Sequence, residues 1–263
     1  MSDEVFHIRS SRPVLWRTPN SLQIGVDHPV ITLEDIPDQA APLIHALQSG
    51  VSRQGYTLLA KQLKVAPSAA AALVSGLSSA FDEEELPARP RLVVTGHSVA
   101  RVIVAETLSQ WGYDVSLATA PPTTRTDVVH VLATDYVADP QWLSRYGAGR
   151  SPHLPLVFSD QSVTAGPLTI PGKTPCLSCR ELFLRDAQPH WLPLGTQLWG
   201  QVAPTANEVV ARVAGILVAL ALGDLQIAGS SEVAHPTVRY RVTDQVMSLD
   251  ETGFHPACHC QGL

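Results

Sequence analysis

The sequence predicts an α/β protein with two domains, one spanning residues 1–86 and a larger one spanning residues 91–263. Two runs of elements lead to this prediction. In the first part, three short β-rich stretches precede three helical patterns. In the second part, a strand, a turn, a helix and a further strand follow one another directly. Between them, the stretch from Glu85 to Pro90 combines charge with two prolines and is typical of a linker.

The first domain has the element order of a winged-helix module. Strands are predicted over residues 14–17, 21–26 and 29–33, and helices over residues 39–48, 56–63 and 68–81. Winged helices most often read DNA, but the helix beginning at Ser68 carries no charge and is followed by the acidic run Asp82–Glu85. The net charge of −6 also argues against nucleic acid and anionic membranes as partners.

An uncharged helix beside an exposed strand edge favours a different ligand, namely a peptide that adds a strand and places apolar side chains in a groove. A helical support domain without any ligand is the alternative, because a strand edge alone is not a binding site.

The second domain starts in the manner of a Rossmann nucleotide site. A buried strand over residues 91–95 leads through Gly96 into a helix that runs to about Trp111, and the next strand covers residues 113–118. Only Gly96 remains of the glycines that let the backbone approach phosphate, and no carboxylate for a ribose follows the second strand. The next strand ends at Asp135, and the connection over residues 121–126 is too short for the usual crossover helix. We therefore predict a reduced Rossmann-like domain.

The remaining elements follow from local patterns: helices over residues 140–148 and 206–225, strands over 155–158, 166–170, 238–242 and 246–249, and a polar loop over 190–199. The most apolar run, Val213 to Leu222, is shorter than the roughly 20 residues that cross a bilayer and predicts a buried helix. The N-terminus lacks the basic and then apolar order of a signal peptide, so a cytoplasmic protein is expected.

All cysteines of the chain fall into two close pairs, Cys176 with Cys179 and Cys258 with Cys260. Thiolates at such spacings predict a four-thiolate zinc site. Two disulfides are the alternative, but they need an oxidising compartment. The second pair is Cys-x-Cys, which leaves His255 and His259 open as substitute ligands. We expect three other histidines to be surface or locally satisfied groups rather than catalytic bases, since no orienting carboxylate is evident beside them in the sequence: His97, His130 and His190.

Residues 91–260 resemble the ThiF-type adenylyltransferases, the superfamily of sulfur-carrier activators and ubiquitin-activating enzymes. The resemblance is carried, in order, by the strand-turn-helix start, Val131–Asp135, Leu154–Val157, Gly166 leading to Pro175–Cys179, and a long apolar helix before the closing cysteines. It implies zinc at the four cysteines, and a nucleotide and metal carboxylate at Asp135 beside the remnant turn at Gly96.

The same resemblance implies that the second domain is degenerate. The family's glycine-rich turn and ribose carboxylate are altered, and the crossover that would carry its Arg and Lys is absent. No thiol is left for a thioester. Bound ATP and magnesium are therefore not expected.

The first domain, through Leu15–Arg17 and Gln23–Gly25, is similar to the winged-helix element that binds leader peptides of ribosomally made natural products. Its fusion to a ThiF-like domain resembles the partner proteins of thiazole/oxazole cyclodehydratases. That implies a non-catalytic, homodimeric scaffold that presents a precursor peptide to a YcaO-type enzyme. Two alternatives stay open: an active adenylating enzyme, with an Arg and a Lys converging on Asp135, and a dimeric structural or regulatory protein whose strand edge is covered.

Overall fold

The computed structural model describes residues 5–8, 12–81, 89–118, 127–146, 151–227 and 236–260. The chain forms two compact units, Met1–Leu86 and Pro87–Leu263. Each unit has its own hydrophobic core.

The first unit combines a three-stranded antiparallel sheet with three helices. The strands are β1 (Val5–Phe6), β2 (Val14–Thr18), β3 (Ser21–Ile24), β4 (Ile31–Leu33) and β5 (Val51–Ser52). The helices are α1 (Ala41–Ser49), α2 (Arg53–Gln62) and α3 (Pro67–Leu77), with short 3-10 turns at Asp38–Ala40 and Ser78–Ala80. The sheet order is β2-β3-β4, and β1 pairs separately with β5.

The central strand β3 anchors the core of this unit. Leu22 and Ile24 are fully buried and belong to the same cluster as Leu43 and Leu47 of α1. Helix α2 begins at a Ser52 cap, whose hydroxyl oxygen accepts the Gly55 amide at 3.1 Å. Helix α3 begins with a proline at its first position, where a missing N–H costs nothing. These local signals explain where α2 and α3 begin, within three residues of their predicted starts.

The second unit is built on a seven-stranded mixed sheet in the order β12-β11-β10-β9-β8-β6-β7. Its strands are β6 (Arg91–Gly96), β7 (Val115–Ala118), β8 (Val128–Asp135), β9 (His153–Phe158), β10 (Ser162–Ala165), β11 (Pro236–Arg241) and β12 (Val246–Glu251). Its helices are α4 (Arg101–Gln110), α5 (Pro140–Tyr146), α6 (Leu177–Ala187), α7 (Trp191–Leu198) and α8 (Glu208–Ile227). Strands β6 to β9 pair in parallel, and β9 to β12 pair antiparallel.

Alternation along β8 divides the packing between the two faces of the sheet. Val131 and Ala133 belong to the main core with α4 and α8, whereas Leu132 belongs to a small separate cluster with Trp142 of α5 and Leu177 of α6. The long apolar helix predicted from the sequence is α8, and it is largely buried. No helix among the described residues is long and apolar enough to cross a membrane.

Two sequence predictions are wrong in this unit. The strand predicted over residues 166–170 lies earlier, at Ser162–Ala165, because Gly166 has φ +109° and turns the chain out of the strand. The predicted loop over residues 190–199 contains α7. The missing crossover was predicted for residues 121–126, which lie outside the described residues.

Candidate functional site

The two cysteine pairs meet in one cluster although they are far apart in the chain. The Sγ atoms of Cys176 and Cys258 are 3.6 Å apart, those of Cys179 and Cys260 are 3.5 Å apart, and those of Cys176 and Cys179 are 4.0 Å apart. Four sulfurs bound at 2.3 Å around a tetrahedral ion lie about 3.8 Å from one another. A disulfide needs about 2.05 Å, and all four thiols are free. The cluster therefore fits a four-coordinate metal such as zinc.

The fold brings together one pair from the middle of the second unit and one pair from its last part. Cys176 caps the start of α6 and Cys179 lies in its first turn. The preceding loop is held by Thr174, whose side chain bonds to the Leu168 carbonyl at 2.8 Å and to the Ile170 amide at 2.6 Å. The second pair follows β12, the last strand of the sheet.

Burial changes the pKa values of the thiols in the cluster. It raises the pKa of Cys258 to about 11 and also raises the pKa of Cys260. For Cys179 burial again acts upward, but hydrogen bonds led by the His255 amide outweigh it and lower the pKa. Four thiolates could coexist here only around a cation, so metal uptake should release protons.

Neither nearby histidine takes the place of a thiolate. His255 Nε2 lies 2.9 Å from Asp186 Oδ2, and its Nδ1 accepts the Ala257 amide at 3.1 Å, so both ring nitrogens are engaged. Its backbone amide points to Cys179 Sγ at 3.4 Å. His259 is exposed, and the potential metal-binding group consists of the four cysteines alone among the described residues.

A second candidate site lies where the strand order of the parallel sheet reverses. Strand β6 has β7 on one side and β8 on the other, and the crevice beyond the carboxyl ends of such strands is where open α/β sheets bind ligands. The cavity here has a volume of about 260 Å³ and is lined in part by His97, Asp135 and Trp199. Ligand cavities usually measure about 300–1,000 Å³, so the described part of this one is slightly smaller than that range.

Asp135 sits at the end of β8 with its Oδ1 buried and without a hydrogen-bond partner among the described residues. Burial raises the pKa of its carboxyl, and hydrogen bonds from the Ser98 hydroxyl and the Ala203 amide act in the opposite direction. No Arg or Lys is among the described residues that line the cavity. The charge convergence expected of an active adenylating site is therefore not present in the part of the crevice that the structure describes.

The turn after β6 uses its backbone amides internally. The Ser98 amide donates to the Ala133 carbonyl at 3.3 Å, and the Ala100 amide donates to the Ser98 hydroxyl oxygen at 3.3 Å. Gly96 has φ +138°, and a Cβ there would lie 1.8 Å from the Ala133 carbonyl oxygen. Packing against β8 accounts for this glycine without any phosphate, and the turn offers few free amides to an anion.

His97 has a carboxylate partner that is not evident from the sequence. Its Nε2 lies 2.7 Å from Asp139 Oδ2, and its exposed ring stacks on Trp142 at 5.5 Å between centroids. Asp139 also caps α5 by accepting the Gln141 amide at 2.7 Å. The pair could not be identified from the sequence because the two residues lie on different loops.

The other two histidines differ from each other in environment. His130 is fully buried rather than on the surface, in register with His153 of the neighbouring strand. Burial lowers the pKa of His130 and lowers that of His153 to about 4. His190 is exposed, as predicted.

No family model and no curated protein matches this sequence. Among solved structures, the chain is similar to a heterocyclase in complex with substrate and cofactor (TM-score 0.67, 14% identity, 98% of this chain and 39% of that one). It is also similar to the heterocyclase TruD (TM-score 0.63, 17% identity, 98% and 42%). A chain of the Escherichia coli microcin synthetase McbBCD complex matches with TM-score 0.51 and 14% identity over 95% of this chain and 98% of that one.

The chain thus spans about two fifths of the heterocyclase chains and nearly all of the microcin synthetase chain. At these identities the similarities show a shared fold.

Proposed function

We propose that this chain is a non-catalytic, ThiF-like scaffold that binds the leader of a precursor peptide and presents it to a separate YcaO-type cyclodehydratase. The observation that carries the proposal is the outer edge of β4, which no strand of the described residues pairs, beside the uncharged helix α3. The solved similarities support it, because one matching heterocyclase holds a substrate and a matching microcin synthetase complex has pro-MccB17 bound.

The β4 edge has the features that strand addition requires. Among the described residues β4 pairs only with β3, and Val30 and Thr32 at this edge are exposed. Gly76 of α3 packs closely against Leu33, since a Cβ there would lie 2.7 Å from Leu33 Cδ2. A peptide strand could bond to the β4 backbone while its side chains contact the small residues of α3.

The second unit supplies rigidity rather than chemistry in this proposal. Four protein thiolates leave no open position on a bound zinc ion, which is the arrangement of structural rather than catalytic sites. Zinc held by Cys176, Cys179, Cys258 and Cys260 would join α6 to the end of the sheet.

Peptide binding can be tested with a cleft variant and a matched control. Ala72 is exposed and lies one helical turn before Gly76, so it is on the face of α3 that meets β4. Ala72→Glu should weaken binding of a labelled leader peptide at least about tenfold, which corresponds to about 1.4 kcal/mol. Ala71→Glu changes the neighbouring exposed alanine on a different face and should leave binding unchanged.

Strand addition also makes a prediction about the peptide. Single N-methylation along the leader should weaken binding at alternate positions, because every second amide of an added strand points to β4. Uniform sensitivity, or equal effects of the two alanine variants, would argue against this docking mode. A strictly dimeric protein without leader affinity would favour the structural or regulatory alternative.

An adenylating enzyme remains the second candidate, because Escherichia coli MccB solved with ATP has a similar fold (TM-score 0.54, 13% identity). Asp135 distinguishes the two functions. For a scaffold, pyrophosphate–ATP exchange stays at background with any candidate peptide, and Asp135→Asn leaves partner-dependent cyclisation within about twofold. Exchange that disappears in Asp135→Asn would show that the second unit is an enzyme.

A further inference from the structure

A large groove in the first unit lies apart from the β4 edge. It has a volume of about 890 Å³ and is formed by α2, α3 and Phe6 of β1, with Ala70 and Val74 among the apolar residues that line it. The buried Tyr56 hydroxyl donates to the Ala70 carbonyl at 3.0 Å and fixes α2 against α3 beneath the groove. The groove is therefore a rigid apolar surface of the size that buries a ligand.

Three basic side chains line this groove. Arg53, Lys61 and Lys64 line it, and no carboxylate does so among the described residues. Arg53 lies over the Phe6 ring at 5.6 Å. Lys61 and Lys64 are exposed and have no ion-pair partner in the described part of the chain. In a protein with a net charge of −6, this is a concentrated positive patch.

Lys64 occupies a backbone position that usually belongs to glycine. Its amide bonds to the Lys61 carbonyl, and the Val65 amide bonds to the Ala60 carbonyl, which is the Schellman pattern at the end of α2. The residue in the left-handed position of this motif is Lys64, with φ +56°. A side chain at this position carries backbone strain that glycine would avoid.

The groove and the β4 edge lie on opposite sides of α3. Successive helical residues are separated by about 100° around the axis. Ala70 and Val74 point to the groove, whereas Gly76 contacts Leu33 of β4, about 160° away from Val74 by this spacing. A ligand in the groove therefore does not depend on a strand at β4.

We propose that the α2–α3 groove binds an acidic, amphipathic segment of a protein partner, with apolar side chains on Val74 and its neighbours and carboxylates on Lys61 and Lys64. Charge complementarity favours this occupant, because an apolar floor beside Lys61 and Lys64, with no carboxylate among the described residues that line it, complements a helix bearing leucines on one face and glutamates on the other. The site is independent of the leader site proposed above.

The test uses the full chain and a labelled model peptide with leucines at helical spacing and glutamates elsewhere, together with a matched peptide carrying lysines in place of the glutamates. The acidic peptide should bind and the basic one should not. Lys64→Gly removes the cation and relieves the strained backbone, so it should lower affinity for the acidic peptide about tenfold while the melting temperature stays equal or rises. Lys61→Glu should weaken binding at least as much.

Ala72→Glu, which targets the β4 cleft, should leave binding of the acidic peptide unchanged, so failure of one site is distinguishable from failure of the other. The proposal is overturned if Lys64→Gly binds the acidic peptide like the parent, or if both peptides bind equally. It is also overturned if Lys61 and Lys64 instead govern binding of duplex DNA or phosphatidylglycerol vesicles, or if Lys61→Glu dissociates a dimer in sedimentation without peptide.

Discussion

Acidification should destabilise the second unit through His153, whose imidazole is fully buried between strands. Burial lowers the pKa of His153 to about 4, a hydrogen bond to the Ser151 carbonyl opposes this, and His130 adds to the lowering. The imidazole has a pKa of 6.5 in the unfolded chain and about 4 in the folded chain. Between these two pH values, the unfolded chain binds a proton that the folded chain does not. Stability is therefore complete above about pH 6.5 and falls as the pH drops towards 4.

The size of the stability loss follows from the difference between the two pKa values. A shift of about 2.5 pH units at 1.36 kcal/mol per unit amounts to roughly 3 kcal/mol, of which about 2 kcal/mol is lost between pH 7 and pH 5. Urea unfolding of the parent and of His153→Gln at both pH values isolates the contribution of the His153 imidazole, since all other titratable groups are common to both proteins. His190→Gln removes an exposed imidazole and serves as the control.

The parent should lose about 2 kcal/mol more than His153→Gln over this interval. Equal losses in the two proteins would refute the reasoning. So would an NMR titration in which the folded His153 imidazole changes state near pH 6.5. Burial of His130 lowers its pKa as well, so it should act in the same direction as His153.

Two further predictions concern the metal cluster and the turn after β6. Removing metal with a chelator, or introducing Cys258→Ser, should lower the melting temperature by roughly 10 °C, because metal binding at such a site contributes to folding. Metal analysis and calorimetry check this prediction. A parent protein that is fully folded without metal would contradict it. Gly96→Ala should lower the free energy of unfolding by about 3 kcal/mol or more, since the added Cβ would overlap the Ala133 carbonyl oxygen. Near-parental stability in urea unfolding would mean that the turn shifts freely away from β8.

The sequence was most informative where a local rule fixes a residue type. The cysteine spacing predicted a cluster, and the sulfur distances are consistent with it. Proline at the start of α3 marked a helix start through its own backbone chemistry, whereas the Ser52 cap places the start of α2 three residues before the predicted one. The α/β class and the long buried helix α8 followed from apolar periodicity.

The errors and omissions arose from tertiary context. The polar, Trp-bearing stretch over residues 190–199 was interpreted as a loop, but it contains α7, with Pro193 in the first turn, where a proline is tolerated. Strands β1 and β5 have two residues each and give no periodic signal. The contact of His97 with Asp139 arises because β6 and β8 are neighbours in the sheet, which local patterns do not reveal.

The separation of the cysteine pairs along the chain determines how strongly a bound metal ion would restrict the unfolded second unit. Cys176 and Cys258 are 82 positions apart, and three helices and two strands lie between them. Closing a loop of this length by a cross-link removes roughly 4 kcal/mol of chain entropy from the unfolded ensemble. A metal ion bound by all four cysteines would stabilise the second unit in the same way, and it would tie the segment after β12, the exposed strand at the end of the sheet, to α6.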